Sequence, residues 1–196
     1  LRRAAPLRFG TGIAFCMVNA ETMAASGSLT FADLEGEWLN AQYVKVLKEV
    51  NEEVYITGAH STTRPEEILR LTGAKAVIRG EPELTVLEIC RNNDLSSVKG
   101  ITYQIDGEFV SNEPQDLLDL GTLPVPSFHL LPMGKYFYEV LGRNFTLLEA
   151  SRGCTYRCSF CLLDMYGKKL RVKSARQLIN ELEIVINKFS VKNAYF

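Results

Sequence analysis

Apolar residues recur along this chain with two different periods, and the alternation between them sets the expected elements. Over residues 31–50, Leu34, Trp38, Ala41, Leu47 and Val50 fall loosely at helical spacing, and the short run Val54-Tyr55-Ile56 follows as a strand. Gly58 ends that strand. Pro65 with Glu66 and Glu67 suits the first turn of a helix, because proline tolerates the position and carboxylates favour the positive end of the helix dipole. Ala76-Val77-Ile78 reads as a strand, Gly80 as a turn and Leu84 to Cys90 as a helix. Strands alternating with short helices argue for a parallel sheet with helices on its faces.

Beyond residue 100 the pattern changes. Ile101 to Ile105 and Glu108 to Val110 are separated by Asp106-Gly107, the pair best suited to positive backbone φ in a two-residue hairpin turn. Residues 112–136 hold Pro114, Pro124, Pro126 and Pro132 without clear periodicity, as an ordered linker would. A second unit then begins, with Phe145 to Glu149 as a strand and Ser151 to Tyr166 as a loop. Ser174 with Gln177 forms a capping box in front of a helix. That helix places Leu178, Leu182, Val185, Ile186 and Phe189 on one side and Asn180, Glu181, Glu183 and Asn187 mostly on the other. Ala194 onward reads as the next parallel strand, which makes strand, loop, helix, strand one βαβ step.

Composition narrows the classes. With 46% hydrophobic and 23% charged residues the chain is globular, and its formal net charge of −1 gives no electrostatic footprint for nucleic acid. No apolar run approaches the roughly 18 residues needed to cross a bilayer, so no membrane partner is expected. The opening Leu1-Arg2-Arg3 lacks the apolar stretch of a secretory signal, and a cytoplasmic location is the expectation. The chain starts with Leu and ends on Ala194-Tyr195-Phe196, which reads as a strand in mid-course, so a fragment or incomplete gene product is expected.

Five cysteines are present, and three lie within residues 154–161, which fits metal ligation in a reducing compartment better than a disulfide framework. Cys154, Cys158 and Cys161 have the spacing C-x3-C-x2-C directly after a strand. Thiolates are preferred ligands of a four-iron, four-sulfur (4Fe-4S) cluster, and three of them leave one iron open. An open iron is a reaction site, since a small molecule with an amine and a carboxylate can chelate it. Gly153 allows a tight turn before the first ligand. The alternative is a structural zinc site, which wants four closed ligands; the other candidates, Cys16, Cys90, His60 and His129, stand at no knuckle-like spacing from the triad. An electron-transfer ferredoxin would likewise need a fourth cysteine nearby. The basic run Lys168, Lys169, Arg171, Lys173 and Arg176 reads as solvated, Cys90 as a small buried hydrophobe, and His60 as a hydrogen-bonding loop residue.

The stretch Ser151-Arg152-Gly153-Cys154-Thr155-Tyr156-Arg157-Cys158-Ser159-Phe160-Cys161 closely resembles the radical S-adenosylmethionine superfamily. The resemblance implies a 4Fe-4S cluster on the three cysteines, S-adenosylmethionine chelated at the unique iron, and reductive cleavage to a 5′-deoxyadenosyl radical that abstracts hydrogen from substrate. It also implies that Phe160 lies against the adenine, that a low-potential donor of the flavodoxin or ferredoxin type supplies electrons, and that the substrate is a small molecule. Upstream, Ser28-Leu29-Thr30, Thr57-Gly58-Ala59-His60-Ser61-Thr62 with Pro65-Glu66-Glu67, and Arg79-Gly80-Glu81-Pro82-Glu83-Leu84-Thr85 look like the subgroup with an N-terminal cobalamin-binding domain. Ser28, Thr30, Gly58, Gly80 and Glu81 match the loops that surround cobalamin there. No Asp-x-His-x-x-Gly is present for a lower cobalt ligand, Thr57-Gly58 replaces Gly-Gly, and Glu81-Pro82-Glu83 replaces Glu-Gly-Glu. A methylthio-transferring relative would need a further cysteine-bearing domain, whose pattern Cys16 and Cys90 do not form.

The expected fold class is α/β: an incomplete doubly wound, Rossmann-like domain of the cobalamin-binding type over residues 1–111, a linker over 112–144, and the first βαβ unit of a partial TIM-type radical barrel over 145–196. Cobalamin-dependent methyl transfer or a redox rearrangement is the implied chemistry.

Overall fold

The computed structural model describes residues 7–8, 14–17, 44, 48–49, 53–92, 94–131, 133–159, 161 and 165–196. The chain divides into two compact units, Leu1–Leu117 with Phe160–Tyr166, and Leu118–Ser159 with Gly167–Phe196. Of the helix expected over 31–50, only residues 44, 48 and 49 are described, the first two in helical conformation.

The first unit is built on a six-stranded mixed sheet whose strands lie in sequence order: β1 (Leu7–Arg8), β2 (Ala14–Met17), β3 (Val54–Thr57), β4 (Ala76–Ile78), β5 (Ile101–Ile105) and β6 (Glu108–Ser111). β2, β3 and β4 are parallel, with Tyr55 opposite Ala76 and Thr57 opposite Ile78. The outer pairs are antiparallel, and Ile78 stands opposite Ile101. Every residue of β3 and β4 is buried, because both faces of the sheet are covered. Tyr55, Ala76 and Ile78 pack on one side with Ile89, Val98, Ile101 and Tyr103. Val54, Ile56 and Val77 pack on the other with Val44, Ile68 and Leu69. Full burial of a side chain such as Ile78 stabilises the fold by about 1.5–3 kcal/mol.

Helices α1 (Ala59–Thr63) and α2 (Pro65–Thr72) join β3 to β4, and α3 (Pro82–Arg91) leads toward β5. α2 begins at Pro65 with Glu66 and Glu67 in its first turn, as the sequence suggests, and stops at the left-handed Gly73. Buried positions of α3 are Thr85 and Ile89, so Cys90, about 100° further round the helix, is exposed rather than buried. The β5–β6 hairpin turns through Asp106 (φ 51°) and Gly107 (φ 86°), the positive pair a type I′ turn requires. At the foot of the hairpin, Asn112 Nδ2 donates to the carbonyls of Leu95 (2.7 Å), Val98 (2.6 Å) and, more distantly, Ser96 (3.4 Å).

In the second unit β9 (Phe145–Leu147) and β12 (Asn193–Tyr195) are parallel neighbours, joined through helix α4 (Ala175–Phe189). Its core gathers Phe128, Leu148, Val185 and Val191, with the Phe128 and Phe189 rings 6.2 Å apart. Two short strands, β10 (Ser151–Arg152) and β11 (Arg171–Val172), pair antiparallel, and β7 (Phe137–Tyr138) pairs with β8 (Gly142–Arg143). The Ser174 hydroxyl accepts from Gln177 N at 3.2 Å, as a cap should. The reciprocal half of the box is not made: Gln177 Nε2 donates instead to the carbonyls of Leu120 (3.0 Å) and Leu123 (3.4 Å), which lie over the helix start. The polar face of α4 also differs from the sequence reading. Glu181 is wholly buried and Ile186 is 47% exposed, because a buried cation meets Glu181 from outside the helix. Among the described residues no helix is long and apolar enough to cross a membrane.

Candidate functional site

Two places carry chemistry: a cavity inside the first unit and the cysteine loop. The cavity, of about 460 Å³, opens where β3 and β4 end, within the size range of small-molecule sites. Thr62 and Thr63 of α1, Arg79, Gly80 and Glu81 beyond β4, Gly100, and residues 114–117 contribute to its wall, with Met165. Open α/β sheets place their ligand crevices outside the carboxyl ends of the strands.

Thr62 ties the two strand ends together. Its hydroxyl donates to Gly58 O at 2.7 Å and accepts from Gly80 N at 3.0 Å, and Ser61 Oγ adds a bond to Gly58 O at 3.1 Å. Arg79 secures the opposite wall: its amide donates to Gly100 O at 2.7 Å, and its guanidinium donates to the carbonyls of Ile101 (3.2 Å) and Asn112. Burial pulls that guanidinium below its ordinary pKa, and its Nε, also buried, has no hydrogen-bond partner among the described residues. Glu81, 5% exposed, places a carboxyl in the same wall. A cation, the carboxyls of Glu81 and Asp116 and two hydroxyls, beside the apolar Pro114, Leu117 and Met165, can orient a polar small molecule.

Of the positions matched to cobalamin loops, Gly80 and Glu81 line the cavity, and Gly58 sits one layer back as the residue preceding α1. Ser28, Thr30 and Phe160 lie outside the described residues. His60 is part of α1, and His129 is exposed in a turn. Sequence reading gave no role to Thr62, Arg79 or Gln115; the available signal was that Thr62 and Arg79 fall inside the matched strand-end motifs.

The cysteine loop leaves β10 through Gly153, whose φ of 78° is the left-handed turn expected before the first thiol. Cys154 is half-buried, its amide donating to Gly167 O at 3.4 Å, while Cys158 and Cys161 are exposed. All three are free thiols. Among the described residues no group of three His, Cys, Asp or Glu side chains is gathered so as to hold a metal ion. The donor set nevertheless suits a soft-ligand cluster: three thiols with no competing disulfide, on a loop that no long ladder straightens.

A thiol triad of this spacing after a strand, downstream of an α/β unit with a cavity at its strand ends, defines a class, and the chain is similar to radical S-adenosylmethionine enzymes, cobalamin-dependent members among them. No protein-family model matches it. An uncharacterized methyltransferase of Pyrococcus horikoshii is 34% identical over 161 residues, covering 78% of this chain and 35% of the relative. The anaerobic magnesium-protoporphyrin IX monomethyl ester cyclase of Rubrivivax gelatinosus is 24% identical over 159 residues, covering 76% of this chain and 29% of the cyclase. The chain thus spans about a third of the length of these curated relatives.

Among solved structures, the cobalamin-dependent S-adenosylmethionine radical enzyme OxsB, with aqua-cobalamin and S-adenosylmethionine bound, superimposes with a TM-score of 0.61 at 22% identity over 82% of this chain and 23% of that one. The radical S-adenosylmethionine methyltransferase TsrM from Kitasatospora setae, with cobalamin and a 4Fe-4S cluster bound, gives 0.55 at 15% identity over 79% of this chain and 32% of that one. At these identities the structures establish a shared α/β fold with a mixed sheet.

Proposed function

We propose that the protein is a radical S-adenosylmethionine enzyme in which Cys154, Cys158 and Cys161 hold a 4Fe-4S cluster and the first unit belongs to a Rossmann-like cobalamin-binding domain ahead of a partial barrel. The observation that carries this reading is the C-x3-C-x2-C loop of free thiols lying between the parallel strands β9 and β12. Three thiolates leave one iron of four for S-adenosylmethionine. When bound, cluster and S-adenosylmethionine supply one-electron cleavage to a 5′-deoxyadenosyl radical, and cobalamin supplies a methyl carrier.

The chain's own residues have definable parts. Gly153 turns the backbone so that the Cys154 thiol follows the strand directly, and Phe160, by resemblance, covers the adenine. Gly80 and Glu81, with Thr62 and Arg79, would hold a polar edge of the corrinoid, and Ser28 and Thr30 match the remaining loop. Methyl transfer to a small molecule, or a redox rearrangement of one, is the reaction class, with electrons from a flavodoxin- or ferredoxin-type donor in the cytoplasm. Similarity to a methyltransferase and to a cyclase supports that range without choosing within it.

Anaerobic reconstitution with iron and sulfide tests the reading. The wild-type protein should turn brown, bleach in air and hold about four irons and four sulfides per chain, and Cys158→Ala should lose most of both. A colourless protein with one zinc per chain would refute it.

A further inference from the structure

The second unit buries one charge pair that the proposed chemistry does not use. Lys173 Nζ donates to both carboxylate oxygens of Glu181, at 2.8 and 3.0 Å, and the two side chains are 3% and 0% exposed. Taking both ions out of water costs energy that their attraction repays only in good geometry, so added stability is a weak reason for such a pair; fixing register is its best-attested use.

The location says which register. Lys173 follows β11 immediately, and its own amide donates to Ala150 O at 2.9 Å. The next rungs pair Ser151 with Val172 and Arg152 with Arg171, and Cys154 N reaches Gly167 O beyond them. These contacts form the neck through which the chain enters and leaves the cysteine loop. A ladder of two residues specifies its own register poorly. Because Val185 holds α4 in the core with Phe128 and Leu148, a slip of β11 along β10 would have to pull Lys173 away from Glu181 and leave a buried carboxylate without its cation.

We propose that the Lys173–Glu181 pair is a positioning device for the cysteine loop: it bolts the exit of the loop to α4 and so fixes the neck from which Cys154 is presented to the cluster. The inference rests on the radical-enzyme reading for the purpose of the loop, but the neck itself can be tested without a cluster.

The decisive variant is K173M/E181L, which replaces the pair with apolar groups of similar length. If the pair positions rather than stabilises, the double variant melts at or above the wild-type temperature. The amides of Cys154 and Lys173 should then exchange hydrogen at least about tenfold faster, an opening of the neck while the fold persists. After anaerobic reconstitution it should retain several-fold less iron than wild type and give an altered cluster EPR signal, whereas Lys173→Arg keeps wild-type exchange and iron. A double variant that melts below wild type would make the pair an ordinary stabiliser and overturn the proposal. Unchanged amide exchange at an unchanged or raised melting temperature would overturn it as well, and so would exchange that quickens while iron content and EPR signal stay as in a cluster-bearing wild type. A wild-type protein that holds no iron would instead refute the cluster reading, and the exchange comparison would still decide whether the pair holds the neck.

Discussion

Replacing Asn112 by alanine removes two good hydrogen bonds at once, those from Nδ2 to Leu95 O and Val98 O at 2.7 and 2.6 Å. Leu95 O keeps its bond from Val98 N at 3.1 Å, so the loss falls chiefly on Val98 O; leaving a buried acceptor without a partner costs about 1–3 kcal/mol, and because Asn112 is half-buried, water restores part of this. The expected loss for Asn112→Ala is therefore about 1–2 kcal/mol in all, or roughly 4–8 °C in melting temperature for a unit of this size. Asn112→Asp separates geometry from chemistry, since it keeps the shape and exchanges the donor for a carboxylate facing carbonyl oxygens. At pH 7 it should be less stable than the alanine variant.

Acid should reverse that order. In the folded variant the carboxylate faces the carbonyls of Leu95 and Val98 directly, and their repulsion outweighs the pull of the Arg79 guanidinium bound to the residue's own carbonyl, so its pKa lies above the unfolded value of about 3.9. The folded state then binds the proton more tightly, and stability is greatest near pH 4 and falls as pH rises through the folded pKa. Urea denaturation of wild type and both variants between pH 4 and pH 7, followed by circular dichroism, measures all of this. If Asn112→Asp is no weaker than Asn112→Ala at pH 7, or shows no acid recovery beyond that of wild type, Asn112 does not act as the donor described.

Two further outcomes are expected. Ser174→Ala removes the acceptor for Gln177 N at the start of α4 and should cost about 1 kcal/mol, read as faster hydrogen exchange in the first turn of that helix. Burial pushes the Tyr55 hydroxyl above its ordinary value near 10, with Lys75 offsetting only part of the effect. The folded state therefore keeps the proton where the unfolded chain loses it, so stability should decline as pH rises above about 10, and Tyr55→Phe should make that decline shallower in alkaline melting curves. An unchanged slope would assign the decline to other groups.

Local chemistry was legible in the sequence wherever one or two residues dictate a backbone state. Asp106-Gly107 gave the hairpin, Pro65 with two carboxylates gave the start of α2, and Ser174 gave the start of α4. The apolar runs at β3 and β4 gave central strands because burial on both faces leaves no room for polar alternation. What was not legible depends on a tertiary partner, eight residues away for Glu181 and more than fifty for Gln177. Glu181 reads as a surface residue until Lys173 meets it, and Gln177 reads as half of a capping box until the carbonyls of Leu120 and Leu123 arrive. Cys90 reads as core because its neighbours are apolar, although only the rotation of α3 against the sheet decides which of them turns inward. At the candidate site the thiol triad is a matter of spacing and was visible at once. The roles of Thr62 and Arg79 emerged only when β3 and β4 lay side by side.

The cavity has a practical corollary. Its wall includes Gly100 and residues 114–117, the stretches just before β5 and just after β6, so an occupant would brace both feet of the hairpin at once. Any molecule that enters should raise the melting temperature in proportion to the logarithm of its concentration over its dissociation constant. Corrinoids, nucleotides and simple anions can therefore be ranked by thermal shift alone, in air and without iron, before the reaction is known.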